Sequence, residues 1–141
     1  MSVPEPPFAM STVGIVRSPL RDPVAAPRQG DEGAPEAWID FDPAIEAALE
    51  GIRAGDEILL FSWLHLAQRD LLRVHPRGDP ARTPQGVFST RSPHRPNPIG
   101  LHRVQVVRVE GARMLVRNLE AVDGTPIVDV KPVLEDDPAE R

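Results

Sequence analysis

Short apolar runs alternate with turn-forming residues along most of the chain, which is the pattern of a mostly β protein. The runs are rich in β-branched residues and are bounded by glycine, proline or aspartate, as strands usually are. Seventeen prolines also disfavour long helices, because a proline inside a helix removes a backbone donor. We predict seven short strands, which suggest a barrel or a sandwich, at residues 12–17, 37–41, 57–66, 71–75, 101–109, 114–119 and 127–130.

One segment carries the signals of a helix start. Asp42 is a residue type that caps helices, and Pro43 suits the first helical position. Apolar residues then recur at helical spacing as far as Ile52, so we predict about two helical turns over residues 44–52. Two proline-rich, charged stretches are predicted to be long loops, at 19–36 and 77–85.

The last predicted strand places two charged residues close together. Successive side chains of a strand point to opposite faces, so Ile127, Asp129 and Lys131 are predicted to share one face. Val128 and Val130 are predicted to share the other. From the residues alone, an ion pair on a solvated face is the simplest interpretation of Asp129 and Lys131.

The strand at 57–66 is predicted to bring a histidine to an apolar row. Alternation aligns four side chains on one face: Leu59, Phe61, Trp63 and His65. Without other information, a histidine beside aromatic residues is most simply a hydrogen-bonded core residue. We interpret His75 and His102 as structural. No two histidines have the spacing of metal ligands, so we predict no metal site.

The composition limits the chemistry that is possible. We assign residues 1–134 of the 141-residue chain to one domain with one core, followed by an acidic tail at 135–141. The absence of cysteine excludes disulfides, cysteine-ligated zinc, iron–sulfur clusters and a thiol nucleophile. The N-terminus does not resemble a signal peptide, and no run of about 18 apolar residues is present. We therefore expect a soluble, cytoplasmic protein without a membrane span.

Positive charge is concentrated in the second half of the chain. The formal net charge is −5, yet ten arginines between residues 69 and 117 are accompanied only by Asp70, Asp79 and Glu110, a local net charge of +7. Guanidinium groups suit flat contacts with phosphates and bases. A GC-rich genome would enrich arginine as well, so the charge pattern gives only weak support for an RNA partner.

Residues 86–101 form a segment with closely spaced prolines. The prolines fix their own φ and push the preceding residues toward extended conformations, so this segment loses little entropy when it becomes ordered. Such a rigid arm would hold Arg91, His94, Arg95 and Asn97 in set directions, as binding of a nucleotide-like ligand requires. From the residues alone, a stiff connection between strands is the favoured interpretation, and a binding arm is the alternative.

The most specific signal is the run STRSPHRPNPIG at 89–100, which resembles the signature of the TsaA-like family of S-adenosylmethionine-dependent tRNA adenosine N6-methyltransferases. Segments 14–19, 27–29, 61–66 and 123–132 are similar to the family in the same order, so the resemblance spans residues 13 to about 134. It implies a compact β-barrel, usually homodimeric, that binds S-adenosylmethionine with loops. We therefore predict an antiparallel barrel of about six to seven strands with one short helix and long loops. The absence of a glycine-rich dinucleotide turn agrees with this.

We also expect roles for particular residues. Arg95 and Asn97 on the arm are assigned to the tRNA substrate, and Asp123, Asp129 and Lys131 are the catalytic candidates. Without the resemblance, residues 123–126 would be an ordinary tight turn in which Gly124 takes a positive φ. The residues implied to contact the cosubstrate are Pro27, Arg28, Gln29, His65, Leu66, Arg91, Leu101, Asp123, Gly124, Thr125 and Pro126.

The implied activity is methyl transfer from S-adenosylmethionine to N6 of threonylcarbamoyl-adenosine beside the anticodon of tRNA. Such a transfer is an in-line displacement that depends on alignment and desolvation, and Asp123 or Asp129 would accept the proton that the amine loses. The alternatives are a regulatory S-adenosylmethionine-binding barrel and a methyltransferase with another substrate. An RNA-binding barrel without a cosubstrate is a third alternative, which the scarcity of aromatic residues disfavours.

Overall fold

The computed structural model describes residues 6–22 and 33–134. Predictions for Pro27, Arg28, Gln29, the tail at 135–141 and most of the loop 19–36 lie outside these residues. Three short 3₁₀ helices lie at Pro43–Leu49, Pro76–Gly78 and Val87–Ser89. The strands are β1 (Gly14–Arg17), β2 (Ala37–Phe41), β3 (Glu57–Trp63), β4 (Arg73–Val74), β5 (Gln85–Gly86), β6 (Ile99–Glu110), β7 (Arg113–Arg117) and β8 (Pro126–Pro132).

Six of these strands close into an antiparallel barrel in the order β1-β2-β7-β6-β3-β8, and β8 returns to pair with β1. The longest strand, β6, pairs with both β3 and β7. The short strands β4 and β5 form a separate two-stranded sheet. Closure leaves no free strand edge in the barrel. The predicted mainly β barrel is therefore confirmed, and the sandwich is excluded.

Side chains that point into the barrel form its core. Inner and outer residues alternate along β6, where Gly100, His102 and Val104 are buried between more exposed neighbours. Burial of one large apolar side chain contributes about 1.5–3 kcal/mol, so the filled interior is the main source of stability. The largest fully buried apolar side chains come from four strands of the barrel and the segment between β7 and β8: Ile39, Leu60, Met114, Leu119 and Ile127.

Each predicted strand overlaps an observed one, but only β2 has both of its predicted ends, and one observed strand was not predicted. The prediction extended β3 to residue 66, and this is wrong, because Leu64 N–H donates to Pro98 O (2.8 Å) and the chain turns there. Strand β6 begins two residues earlier than predicted, at Ile99. The two-residue strand β5 was not predicted, since its pairing with β4 leaves no pattern in so short a segment.

The predicted helix forms as a 3₁₀ helix and ends at Leu49. Asp42 caps it as predicted, because its Oδ1 accepts a hydrogen bond from Ala44 N–H at 2.9 Å and Pro43 occupies the first position. Ile45 departs from helical geometry at φ −111° and ψ 16°. The segment therefore makes an irregular turn over one end of the barrel.

A bulge in β8 changes the predicted faces of that strand. Ser62 pairs with Ile127, whereas the preceding residue Phe61 pairs with Asp129, so Val128 is the extra residue. Ile127 is consequently fully buried, while Asp129 and Lys131 are exposed. The prediction that Ile127 shares a face with the two charged residues is wrong, because the bulge shifts the alternation by one position.

The arginines on the barrel wall are neutralised by nearby carboxylates. Asp40 accepts from Arg113 Nε (2.8 Å) and Arg17 Nε (3.3 Å), and the hydrogen bond from Arg113 lowers the pKa of Asp40 below its usual value. Two guanidinium groups lie near the Trp38 ring, with Arg113 at 4.2 Å and Arg108 at 5.2 Å from its centre. Three further pairs join Arg103 to Glu57, Arg108 to Glu110 and Arg117 to Glu36.

Replacement of Gly100 by alanine should destabilise the barrel by about 1–3 kcal/mol, as overpacking of a filled interior does. A Cβ at this position would lie 2.7 Å from His102 Nε2 and closer still to Ser62 Oγ. Urea unfolding measures the change. Gly86→Ala is the matched control, since its Cβ would meet nothing within 4 Å. Equal stability of both variants would contradict this account of the packing.

Candidate functional site

The six barrel strands bring one set of connections together at the same end of the barrel. Because neighbouring strands are antiparallel, the ends of β1, β3 and β7 meet the starts of β2, β6 and β8. We call this the loop end. In the described part of the chain it consists of residues 18–22, the whole connection 64–98 between β3 and β6, and residues 118–125. The connection between β1 and β2 also starts and finishes at this end, and the predictions for Pro27, Arg28 and Gln29 within it lie outside the described residues.

The turn containing Asp123 is held against the residues that follow β1. Asp123 Oδ1 accepts a hydrogen bond from Ser18 N–H at 3.0 Å, and Oδ2 lies 3.7 Å from Arg21 Nη1. Gly124 takes a φ of 85° and its N–H donates to Val16 O, so the predicted tight turn is confirmed. The half-buried carboxylate retains acceptor capacity at Oδ2, which makes it the available acceptor of this turn.

Thr125 and Pro126 contribute to this turn mainly through its folding. The Thr125 hydroxyl is buried and donates to Val122 O at 2.7 Å, so its hydrogen is already used. The backbone carbonyl of Thr125 accepts from Val16 N–H at 3.0 Å. Contact of these two residues with a cosubstrate stays a prediction.

His65 and Leu66 lie in the turn that follows β3. Both are exposed, and Leu66 is 58% exposed, so an apolar side chain is presented at the loop end. His65 is not aligned with Leu59, Phe61 and Trp63 as predicted, because β3 ends before it. The alternative of a core histidine is wrong for His65.

The proline-rich arm is clasped by the turn at 64–70. Arg69 Nε donates to Pro96 O at 2.7 Å and Nη2 donates to Asn97 Oδ1 at 3.1 Å. The same guanidinium lies 5.1 Å from the centre of the Trp63 ring. Gln68 N–H donates to His94 Nδ1 at 3.0 Å. The arm is thus a fixed part of the loop end, and Asn97 is engaged by Arg69 within the chain.

Arg95 and Arg91 differ in the hydrogen bonds that their guanidinium groups make. The Arg95 guanidinium donates to Thr90 O and Ser92 O, both at 3.0 Å, so it holds the arm's own backbone. Arg91 is exposed, and among residues 6–22 and 33–134 its side chain makes no hydrogen bond or ion pair. Of the arm's arginines, Arg91 is therefore the one whose guanidinium is available to an anionic group.

Leu101 and Asp129 lie on the outer wall of the barrel. Both are opposite Phe61, one on each neighbouring strand, and they therefore form one cross-strand row. Asp129 pairs with Lys131 at 3.4 Å, and their side chains are 53% and 62% exposed, so the predicted surface ion pair is confirmed. Asp129 and Lys131 also line a groove of about 1230 Å³ that reaches the 3₁₀ helix Pro43–Leu49 at the opposite end of the barrel. The structure does not bring Lys131 to the loop end.

A buried hydrogen-bonded network supports the loop end from inside. His102 Nε2 lies 2.6 Å from Ser62 Oγ, and His102 Nδ1 lies 2.5 Å from Glu120 Oε1. The order serine, histidine, glutamate resembles a nucleophilic triad, but Ser62 has no exposed surface, and substrate would have no access to it. The interpretation of His102 as structural is confirmed. His75 likewise contacts Arg82 O, at 2.8 Å.

Residue patterns alone missed several contributors to the site. Ser18 and Arg21 bind the Asp123 carboxylate, and Arg69 clasps the arm. Ser18 lies inside the family-like segment 14–19, which was a usable signal. Arg69 had none, because its partners are 27 and 28 residues away along the chain.

Two absences are recorded for residues 6–22 and 33–134. No helix there is long and apolar enough to cross a membrane. No three His, Asp or Glu side chains in the same residues come together as a metal-binding group.

The described residues define the class of protein as a closed antiparallel β-barrel whose connections at one end carry Leu66, Arg91 and Asp123. The sequence matches the tRNA-methyltransferase O N-terminal domain family over residues 15–137. The chain therefore belongs to this family, and the resemblance to TsaA-like proteins is confirmed.

Relatives in the archaea support the same assignment. A Methanothermobacter thermautotrophicus protein named "Probable S-adenosyl-L-methionine-binding protein" is 45% identical over 124 residues, which are 88% of each chain. An Archaeoglobus fulgidus protein named "S-adenosyl-L-methionine-binding protein" is 40% identical over 122 residues, 86% of each chain.

Solved structures of TrmO have the same fold. The structure of TrmO from Pseudomonas aeruginosa superposes with a TM-score of 0.74 at 29% identity, over 99% of this chain and 62% of that one. A second TrmO structure gives a TM-score of 0.73 at 31% identity, over 91% and 58%. The chain thus spans about three fifths of the length of these TrmO chains.

Proposed function

We propose that this protein binds S-adenosylmethionine at the loop end and transfers its methyl group to N6 of threonylcarbamoyl-adenosine beside the anticodon of tRNA. The observation that carries this proposal is the convergence of family-like segments from distant parts of the chain. Segments 14–19, 61–66, 89–100 and 123–132 all reach the loop end of one barrel. Family membership and the names of the relatives support the choice of cosubstrate.

The groups at the loop end suit the chemistry of this cosubstrate. The available guanidinium of Arg91 would take the amino-acid carboxylate in a two-point contact. The Asp123 carboxylate would accept hydrogen bonds from an ammonium group or from ribose hydroxyls. The exposed side chain of Leu66 offers an apolar surface to a purine ring. Pro27, Arg28 and Gln29 are proposed to complete the site.

When bound, S-adenosylmethionine supplies a methyl group activated by a sulfonium sulfur. The protein's own residues then hold the acceptor amine in line, exclude water and accept a proton from the methylated nitrogen. Asp123 is the better placed of the three catalytic candidates, because Asp129 and Lys131 lie on the outer wall and pair with each other. Oδ2 is the atom proposed to take the proton, since Oδ1 is bound by Ser18.

We also propose that the chain forms a homodimer through the outer wall of β3 and β6. Ile99 and Leu101 are 43% and 41% exposed there, beside the half-buried rings of Phe61 and Trp63. Apolar surface of this kind favours association with a second copy. The molar mass in solution, measured by light scattering, tests this proposal, and a monomer at every concentration would contradict it.

A regulatory barrel that binds the cosubstrate without catalysis is the second candidate. The buried serine and the surface position of Asp129 and Lys131 favour it, because of the three catalytic candidates only Asp123 lies at the described loop end. The two candidates share the same binding site and differ in turnover.

Binding is tested first, by thermal unfolding with S-adenosylmethionine or its demethylated product. A hundredfold excess over the dissociation constant should stabilise the wild-type protein by about 2.7 kcal/mol. Arg91→Ala should reduce affinity about tenfold to a hundredfold, as loss of a charged hydrogen bond does. Arg73→Ala is the matched control, because Arg73 is also exposed and makes no ion pair among the described residues. A normal shift in the Arg91 variant would show that the residue assignment is wrong.

Turnover is tested with tRNA from cells that lack this methylation. Labelled S-adenosylmethionine and mass spectrometry of the nucleosides should reveal one new methyl group on threonylcarbamoyl-adenosine. Asp123→Asn should lower the rate by about 10²–10⁴-fold if the carboxylate takes the proton. Cosubstrate binding without any incorporation would favour the regulatory barrel, and methylation of another nucleoside would show a different substrate.

A further inference from the structure

Residues 67–98 form a basic outgrowth of the loop end. They include the sheet of β4 and β5, two short 3₁₀ helices and the proline-rich arm. This segment contains six arginines and two aspartates, a net charge of +4. The rest of the chain contains ten basic and nineteen acidic residues, a net charge of −9. The molecule is therefore strongly polarised, although its total charge is negative.

The arginines of the outgrowth have different partners from those of the barrel wall. On the wall, Arg17, Arg103, Arg108, Arg113 and Arg117 each have a carboxylate partner. In the outgrowth, by contrast, Arg69 and Arg95 bind uncharged carbonyl oxygens and approach aromatic rings.

Two further arginines of the outgrowth, Arg73 and Arg91, make no ion pair within residues 6–22 and 33–134. Hydrogen bonds to uncharged carbonyls leave the charge of an arginine in place. Arg82 of the outgrowth lies 3.9 Å from Asp79 and forms an ion pair with it. The charges of Arg69, Arg73, Arg91 and Arg95 are thus left without a carboxylate partner among the described residues, whereas those of the wall are cancelled.

An aromatic side chain stands exposed on the same outgrowth. Phe88 is 78% exposed. Leu72 lies near it, because Val87 N–H donates to Leu72 O at 2.9 Å, and Leu72 is 69% exposed. The Arg95 guanidinium lies 5.8 Å from the centre of the Phe88 ring. Because Arg95 is itself fixed to Thr90 O and Ser92 O, it supports the ring from one side. The ring has a supported side and an open side.

From this combination we propose that the outgrowth binds an unpaired loop of RNA, with one base stacked on Phe88 and phosphates held by Arg73 and its neighbours. An exposed ring accepts any unstacked base, and unneutralised guanidinium groups attract a polyanion. A duplex offers no free base face, so a single-stranded loop fits better than a helix. The proposal rests on the proposed function, for which it identifies the surface that grips the anticodon loop. Arg95 then acts as a positioning residue.

The test measures binding of a fluorescent anticodon stem-loop RNA to the full chain by anisotropy, without cosubstrate. Phe88→Ala should weaken binding about fivefold to a hundredfold with an unchanged salt dependence, because stacking releases no counterions. Arg73→Ala should weaken it about fivefold near 0.1 M salt and reduce the slope of log affinity against log salt by about 0.7–0.9. Arg53→Ala is the matched control, an exposed arginine at the opposite end, and should bind normally.

The outcomes separate this surface from the proposed activity. Loss of RNA binding in both variants, with normal stabilisation by S-adenosylmethionine, supports the surface even if no methyl transfer is found. Wild-type RNA binding by Phe88→Ala and Arg73→Ala overturns it, even if methyl transfer is found. Equal affinity for a fully paired RNA of the same length overturns the assignment to an unpaired loop, as does no binding by the wild-type protein.

Discussion

Barrel closure depends on a short seam between β1 and β8, and the loop end depends on that seam. Only Gly14 with Ile127 and Ile15 with Pro126 are paired as strands. Hydrogen bonds from Val16 N–H to Thr125 O and from Gly124 N–H to Val16 O continue the seam into the turn at 123–126. The Asp123 carboxylate then binds Ser18 N–H. The contacts that close the barrel therefore also place the carboxylate that is proposed to act in the site.

Two sets of contacts, one buried and one on the outside of the barrel, keep the rest of the loop end in position. The buried network of Ser62, His102 and Glu120 joins β3, β6 and the segment before β8, and the missing side chain of Gly100 leaves the space that it needs. Outside, Arg69 joins the turn after β3 to the proline-rich arm. The polar side chains of both sets are hydrogen-bonded within the protein, so this part of the loop end can be ordered before a ligand binds, which reduces the entropic cost of binding.

Local patterns were sufficient to place the six barrel strands approximately and to find the helix cap, because alternation and capping residues act over a few positions. They failed where a distant partner decides the outcome. The bulge at Val128 shifts the face of Ile127, and only the pairing with β3 reveals it. The hydrogen-bonded network of Ser62, His102 and Glu120 was missed for the same reason, since 40 and 18 residues separate the partners along the chain. Family-like motifs located the candidate site, but charge counting could not separate the cancelled arginines of the wall from those of the outgrowth.

The most direct test of this account is a crystal structure of the full chain with the demethylated product of S-adenosylmethionine. The account predicts the ligand at the loop end, with its carboxylate on Arg91 and with Asp123 and Leu66 in contact. A ligand in the groove of about 1230 Å³ between β8 and the 3₁₀ helix Pro43–Leu49, at the opposite end of the barrel, would contradict it.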